Sequence, residues 1–195
     1  MKPAVALCAA LLVTMPLVRA QTSPAVSPSP RKWEATRQLV YGLPWWADKE
    51  SEAELLARVK DAESTPDQRL VAVLNDLAAW NRAQKKYAEA EKIYQRVLKL
   101  QEDRMGKHYD VALTHNDLGV IYSESGQFEK AEKHFKEALE MWRTLWDRPY
   151  RDEDEAVAMH NYAVLLEKTG RAAEAKAMEA KAEEIMQAKE KMLGG

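Results

Sequence analysis

Two stretches of the chain, LNDLAAWNRAQKKYAEAEKIYQRVL at residues 74–98 and HNDLGVIYSESGQFEKAEKHFKEAL at residues 115–139, align without a gap at a spacing of 41 residues. Both carry Asn-Asp-Leu near the start and Ala-Glu-Lys in the second half. A fainter third copy, MHNYAVLLEKTGRAAEAKAMEAKA at residues 159–182, begins 44 residues after the second. Repetition at this period indicates a stack of similar units that share one continuous core.

The repeated region has the apolar spacing of helices. From Pro66 onward, apolar residues recur at intervals of three and four, and no stretch alternates convincingly as a strand would. Glycine, proline or paired lysines interrupt the pattern at 85–86, 106, 126, 149 and 170. The sequence therefore predicts helices over residues 66–84, 87–104, 110–125, 127–146, 153–169 and 171–191.

Small residues recur at matching places in the three copies. Gly119 corresponds to Ala78 and Ala163, and we expect this position to lie where the two helices of one pair approach most closely. A larger side chain there would push the helices apart. Gly126 is expected in the turn within the second pair, where a left-handed backbone is easiest without a side chain.

At these residues the chain resembles the tetratricopeptide repeat family, and the fit is closest to the longer-repeat form found in kinesin light chains. The segment GKHYDVA at 106–112 is similar to that form's connector between copies. Asn81 and Glu179 depart from the family pattern, because each stands where an aromatic residue is usual. The resemblance implies an all-α fold, a right-handed α-solenoid of about three helix pairs closed by a C-terminal capping helix. It assigns the repeats to residues 66–104, 110–146 and 153–191.

The resemblance also implies a binding groove on the first helix of each pair. The residues three before and four after the small position would face this groove, and these candidates are Asn75, Arg82, Asn116, Ser123, His160 and Glu167. Amide side chains can donate to and accept from an extended peptide backbone, and Arg82 could bind a carboxylate. The two asparagines could equally be consensus residues that stabilise neighbouring helices, and both interpretations stay open.

The N-terminus has the layout of a secretory signal peptide over residues 1–20. Lys2 precedes an apolar run, and a small-residue motif ends at Ala20, where cleavage is expected. The alternative is an uncleaved inner-membrane anchor, although the run is shorter than the roughly 20 residues a span needs. Cys8 is the only cysteine, so the cleaved chain would contain no disulfide. We expect a periplasmic or secreted protein with no stable membrane span after cleavage.

The segment between leader and repeats divides into two parts. Residues 21–30 are rich in serine and proline and predict an extended linker. Residues 31–64 predict N-terminal flanking helices, the second of which begins with a capping box of Ser51 and Glu54. Three tryptophans in this part either cover the open end of the stack or bind a partner: Trp33, Trp45 and Trp46.

Composition and motifs exclude several classes of function. The formal net charge is −2, with no basic block of the kind that nucleic-acid binding requires. The four histidines show no metal-ligand spacing, and neither a phosphate-binding loop nor a nucleophile motif occurs. We therefore expect no catalytic residue, metal or cofactor, but an adaptor that binds a protein or peptide. The alternatives are a self-associating structural subunit of an envelope complex, or a membrane-tethered assembly factor.

Overall fold

The computed structural model describes residues 50–64, 68–145 and 153–193. These residues form seven α-helices and no strand: α1 (Glu52–Glu63), α2 (Gln68–Ala83), α3 (Tyr87–Met105), α4 (Tyr109–Glu124), α5 (Phe128–Thr144), α6 (Glu153–Lys168) and α7 (Ala172–Leu193). Where the predicted helix ranges fall on described residues, they agree with these bounds to within two residues. The predicted leader, linker, first flanking helix and three N-terminal tryptophans lie outside the described residues.

Consecutive helices form three pairs that stack in chain order. α2 packs on α3, α4 on α5 and α6 on α7, while α3 contacts α4 and α5 contacts α6. The first helices α4 and α6 also contact each other, and α1 packs on α2. The predicted fold class is thereby confirmed: the described residues form an all-α solenoid of three helix pairs, preceded by a flanking helix.

The helix ends follow from local sequence chemistry. Ser51 accepts a hydrogen bond from the Glu54 amide, and the Glu54 carboxylate accepts one from the Ser51 amide, as the predicted capping box requires. Gly126 and Gly170 have φ of 79°, and Lys85 has φ of 58° at the equivalent position of the first pair. Each of the three turns therefore contains one residue with a left-handed backbone. This residue is glycine in the second and third pairs and Lys85 in the first.

The small-residue position lies in the closest contact within the second pair. A Cβ atom added to Gly119 would stand 2.7 Å from Cδ1 and Cε1 of Phe135 on α5. Phe135 has no exposed surface and cannot easily move aside. The prediction that this position must be small is confirmed, because the ring occupies the space that a side chain would take.

One apolar core runs through all three pairs. Tyr94 of α3, Phe135 of α5 and Tyr162 of α6 belong to the same buried cluster, and the Phe135 and Tyr162 rings stack with centroids 6.0 Å apart. A second cluster joins Leu55 and Val59 of α1 to α2 and α3. The flanking helix therefore covers the first pair with apolar contacts and extends the core by one layer.

The outermost helix is largely polar. α7 buries Ala175, Ala182 and Ile185 against the stack and exposes most of its lysines and glutamates. This pattern suits a terminal helix that closes a short solenoid. Among the described helices, none combines the length and the apolar character that crossing a bilayer would demand.

Candidate protein-binding surface

The predicted groove residues lie on α2, α4 and α6, the first helices of the three pairs. We call the side on which these helices meet one another the inner face. Three side-chain contacts join the helices there: Arg82 with Glu124 at 2.7 Å, Asn161 with Asn116 at 3.1 Å, and Lys168 with Ser123 at 3.5 Å. Each contact crosses from one pair to the next. Polar side chains therefore set the spacing of the repeats on this face.

Arg82 forms a two-point ion pair within the chain. Its Nε and Nη2 donate to the two carboxylate oxygens of Glu124 at 2.8 and 2.7 Å. The Arg82 side chain is 12% exposed and that of Glu124 is 24% exposed. We expected Arg82 to bind a partner's carboxylate, and here the bound carboxylate is that of the next repeat. The guanidinium thus ties α2 to α4.

The two candidate asparagines of the first helices, Asn75 and Asn116, are less accessible than a peptide-binding role implies. Asn116 has no exposed surface, and its Oδ1 accepts a hydrogen bond from Asn161 Nδ2. Asn75 is half-buried, and its Oδ1 has no hydrogen-bond partner among the described residues. The placement of Asn116 favours the structural interpretation for that residue, since a buried amide cannot contact a ligand without movement of α4 and α6. Its predicted role in binding is otherwise untested.

The remaining predicted residues occupy different surroundings. Ser123 is 2% exposed and accepts the hydrogen bond from Lys168. His160 is buried, with its Nδ1 3.4 Å from Oε1 of Glu179 on α7, so it faces the second helix of its own pair. Glu167 is exposed at the end of α6. Of the six candidates, Glu167 is the one that is exposed rather than buried or half-buried.

Sequence reasoning missed Asp117, the residue after Asn116. Burial raises the pKa of its carboxyl to about 7, although the nearby Arg82 acts in the opposite direction. Asp154 on α6 adds to the rise in the Asp117 pKa by repulsion. The carboxyl is therefore partly protonated near neutral pH. The pattern that could have drawn attention to Asp117 is the repeated Asn-Asp-Leu, in which it is the second residue.

A second polar cluster lies inside the pair formed by α4 and α5. The Nδ1 atoms of His115 and His134 are 3.0 Å apart, and Glu137 Oε2 lies 3.1 Å from the first and 3.7 Å from the second. The sequence analysis found no metal-ligand spacing among the histidines. That statement concerns spacing along the sequence and does not describe this cluster, because ligand atoms from two helices can converge without any fixed spacing along the chain.

Comparisons with known proteins agree with this architecture. The family model for the tetratricopeptide repeat matches residues 69–144. A solved structure, BtubC (BKLC) from P. vanneervenii, superposes with a TM-score of 0.64 at 20% identity, covering 70% of this chain and 56% of that one. The chain therefore spans a little over half of that protein's length, and the likeness concerns the fold alone. The comparison with curated proteins found no match.

Tetratricopeptide repeats generally mediate interactions between proteins, and the fold is typically a non-catalytic scaffold. The repeat match covers α2 to α5 almost completely. At this level the described residues have the helical-repeat fold that such scaffolds use.

Proposed function

We propose that the protein is an exported adaptor that binds a segment of another protein along the inner face of its helix stack. The observation that carries the proposal is the tetratricopeptide match over α2 to α5, together with a first-helix face that carries both charges. Stacked repeats offer their partners an extended concave surface built by the first helices. The binding segment would therefore run across α2, α4 and α6.

The charges at the surface end of the inner face indicate the partner's chemistry. Glu167 and Lys168 are exposed side by side at the end of α6, and Lys168 reaches back to Ser123 on α4. Glu124 is partly exposed next to them in the ion pair with Arg82. A partner segment with charges of both signs suits this end better than an apolar segment. Opposite charges on the two binding partners fix the position of the segment and add specificity.

The proposal can be tested by capturing the partner with a variant of this protein in which two charges are exchanged. The variant Glu167→Lys/Lys168→Glu reverses the order of charges on the inner face and leaves the net charge unchanged. We expect capture of the partner from the native envelope to fall at least about tenfold, measured at a temperature where circular dichroism shows the variant and the control fully folded. The matched control is Glu89→Lys/Lys92→Glu, a pair exposed on α3. Equal capture by both variants would contradict binding at this face.

The export part of the proposal rests on the sequence of residues 1–20. A positive Lys2, a short apolar run and Ala20 before Gln21 support removal of a leader. N-terminal sequencing of the protein from the cell envelope should then begin at Gln21. A start at Met1 would instead support the membrane-tethered alternative.

Self-association is the alternative function for the same helix stack. Leu56 of α1 and Met192 of α7 are 50% and 52% exposed, near opposite ends of the described stack. If these ends bound copies of the chain, sedimentation would show a stable oligomer that Leu56→Lys disrupts. We expect the described helix stack alone to give a monomer at micromolar concentration, because the two exposed large apolar side chains of its described residues are far from the interface area that a stable dimer needs.

A further inference from the structure

We propose that His115, His134 and Glu137 form a binding site for one transition-metal ion, most suitably Zn²⁺, inside the second helix pair. The three ligand atoms are His115 Nδ1 on α4, and His134 Nδ1 and Glu137 Oε2 on α5. Two imidazole nitrogens and one carboxylate oxygen are a ligand set that zinc accepts when it keeps a fourth position open. This proposal is independent of the partner-binding function proposed above.

The distances between the ligand atoms fit a tetrahedral ion. Metal–ligand bonds of about 2.0–2.1 Å at tetrahedral angles place neighbouring ligand atoms about 3.3 Å apart. The observed separations of 3.0, 3.1 and 3.7 Å bracket that value. The two Nδ1 atoms face each other and the carboxylate, so one central ion could contact all three with small adjustments.

The surroundings hold the two rings and leave one side accessible. The Tyr122 ring stacks on His134 with centroids 5.3 Å apart, which restricts the orientation of that imidazole. The side chains of His115 and His134 are 9% and 17% exposed, whereas that of Glu137 is 39% exposed. The carboxylate edge therefore provides an entry path and room for a water as fourth ligand.

Electrostatics at the cluster are mixed but compatible with a cation. With each imidazole neutral and carrying its proton on Nε2, both Nδ1 lone pairs would point at the ion, and the hydrogen bond between the two rings would be replaced by the two metal–nitrogen bonds. Lys133 lies 3.8 Å from Oε1 of Glu137, and its charge opposes a bound cation. That lysine is 71% exposed and on a flexible stem, so it can turn into solvent.

The other two helix pairs show which residues occupy the positions of His115 and His134 when those positions serve only for packing. At the spacing of the repeats, His115 and His134 correspond to Leu74 and Ile93 in the first pair, which pack together in an apolar cluster. In the third pair they correspond to Met159 and Met178, which share another apolar cluster. Only the second pair places two imidazoles and a carboxylate at an interface that its neighbours fill with apolar side chains.

Zinc titration of the full chain, purified without a histidine tag, tests the site. We expect one Zn²⁺ per chain by calorimetry, a raised melting temperature, and four-coordinate visible absorption when Co²⁺ replaces zinc. His115→Leu/His134→Ile restores the residues of the first pair and should fold at least as well. Its zinc affinity should fall by about 100-fold or more, since even second-shell losses reach that size.

A second variant separates the cluster from general histidine binding. Glu137→Gln keeps the size of the side chain and removes the anionic ligand, so zinc affinity should fall while helical content stays constant. His108→Asn removes a partly exposed histidine outside the cluster and should leave zinc affinity unchanged. Absence of zinc uptake by the wild-type chain, or equal uptake by the Leu/Ile variant, would overturn the proposal and identify a simple hydrogen-bonded pair.

Discussion

Arg82 on α2 and Glu124 on α4 are joined by two hydrogen-bonded contacts of 2.8 and 2.7 Å, which link the first helices of neighbouring pairs. Planar two-point contacts of this kind are stronger than single ones, and partial burial protects them from salt. The ion pair therefore belongs to the stack itself, and a partner must bind beside it or displace it.

Arg82→Ala should destabilise the chain by about 1–3 kcal/mol, because Glu124 loses its partner while partly buried. A double-mutant cycle with Glu124→Ala, read by urea unfolding, should give a coupling energy of about 1–2 kcal/mol. The matched control is Arg143 with Glu140, an equally two-pronged contact within α5 whose side chains are 63% and 57% exposed. That pair should show no measurable coupling. Equal coupling for both pairs would show that burial is irrelevant.

The left-handed backbone in the turns predicts opposite changes in stability for substitutions at the equivalent positions Lys85 and Gly126. Lys85→Gly should raise the unfolding free energy by about 1 kcal/mol, because Lys85 has a left-handed backbone that glycine adopts without a steric penalty. Gly126→Ala should lower it by about 1–2 kcal/mol for the same reason, although nothing lies within 4 Å of the added Cβ. Thermal or urea unfolding measures both. A loss of stability in Lys85→Gly would contradict this account of the turn.

The close contact at Gly119 predicts an unusual glycine substitution. Gly119→Ala should destabilise the chain by about 1–2 kcal/mol despite the helix preference of alanine, because the new methyl meets the Phe135 ring at 2.7 Å. Phe135→Leu is destabilising on its own because the ring is fully buried, but it opens that space, so the double variant should lose less stability than the sum of the two single losses. Losses that add up fully, or to more than the sum, would show that the contact is not the cause.

The buried histidines make the fold sensitive to acid. The pKa of His134 is about 4 in the folded chain against 6.5 for an ordinary histidine. The unfolded chain therefore binds more protons between those values, and this contribution to stability is lost as pH falls from 6.5 towards 4. Asp117 acts in the opposite direction, so the comparison must be made between variants.

Unfolding of the wild type and of His115→Leu/His134→Ile should be compared from pH 4 to 8 in the presence of a chelator. The stability advantage of the variant should grow as the pH falls through this window. Asp117→Asn serves as the reference variant, because it retains both histidines and should keep their acid sensitivity. A constant difference between wild type and the Leu/Ile variant at all pH values would contradict the lowered histidine pKa values.

The repeat could be predicted from sequence because its determinants are local. Apolar spacing set the helices, and the match of Gly119 with Ala78 predicted the close contact that Phe135 makes. The turns followed from Gly126 and Gly170. Each of these contacts forms within one helix pair, so comparing the copies along the sequence was enough to predict it.

The surface was harder to predict because it depends on contacts between pairs. The burial of Asn116 follows from the close approach of α4 and α6, where Asn161 of the next repeat donates a hydrogen bond to it. The histidine cluster depends on the register of α4 against α5. Comparison with Leu74 and Ile93 would have revealed it, since those residues mark the same facing positions.

Site-specific photo-crosslinking tests the central claim that the inner face binds a protein. A benzophenone side chain at position 167, exposed at the end of α6, should give one dominant adduct with a partner in cells of the source organism. The same group at position 92, exposed on α3, should give little or none of that adduct. An adduct that forms equally at both positions, or only at position 92, would contradict the account.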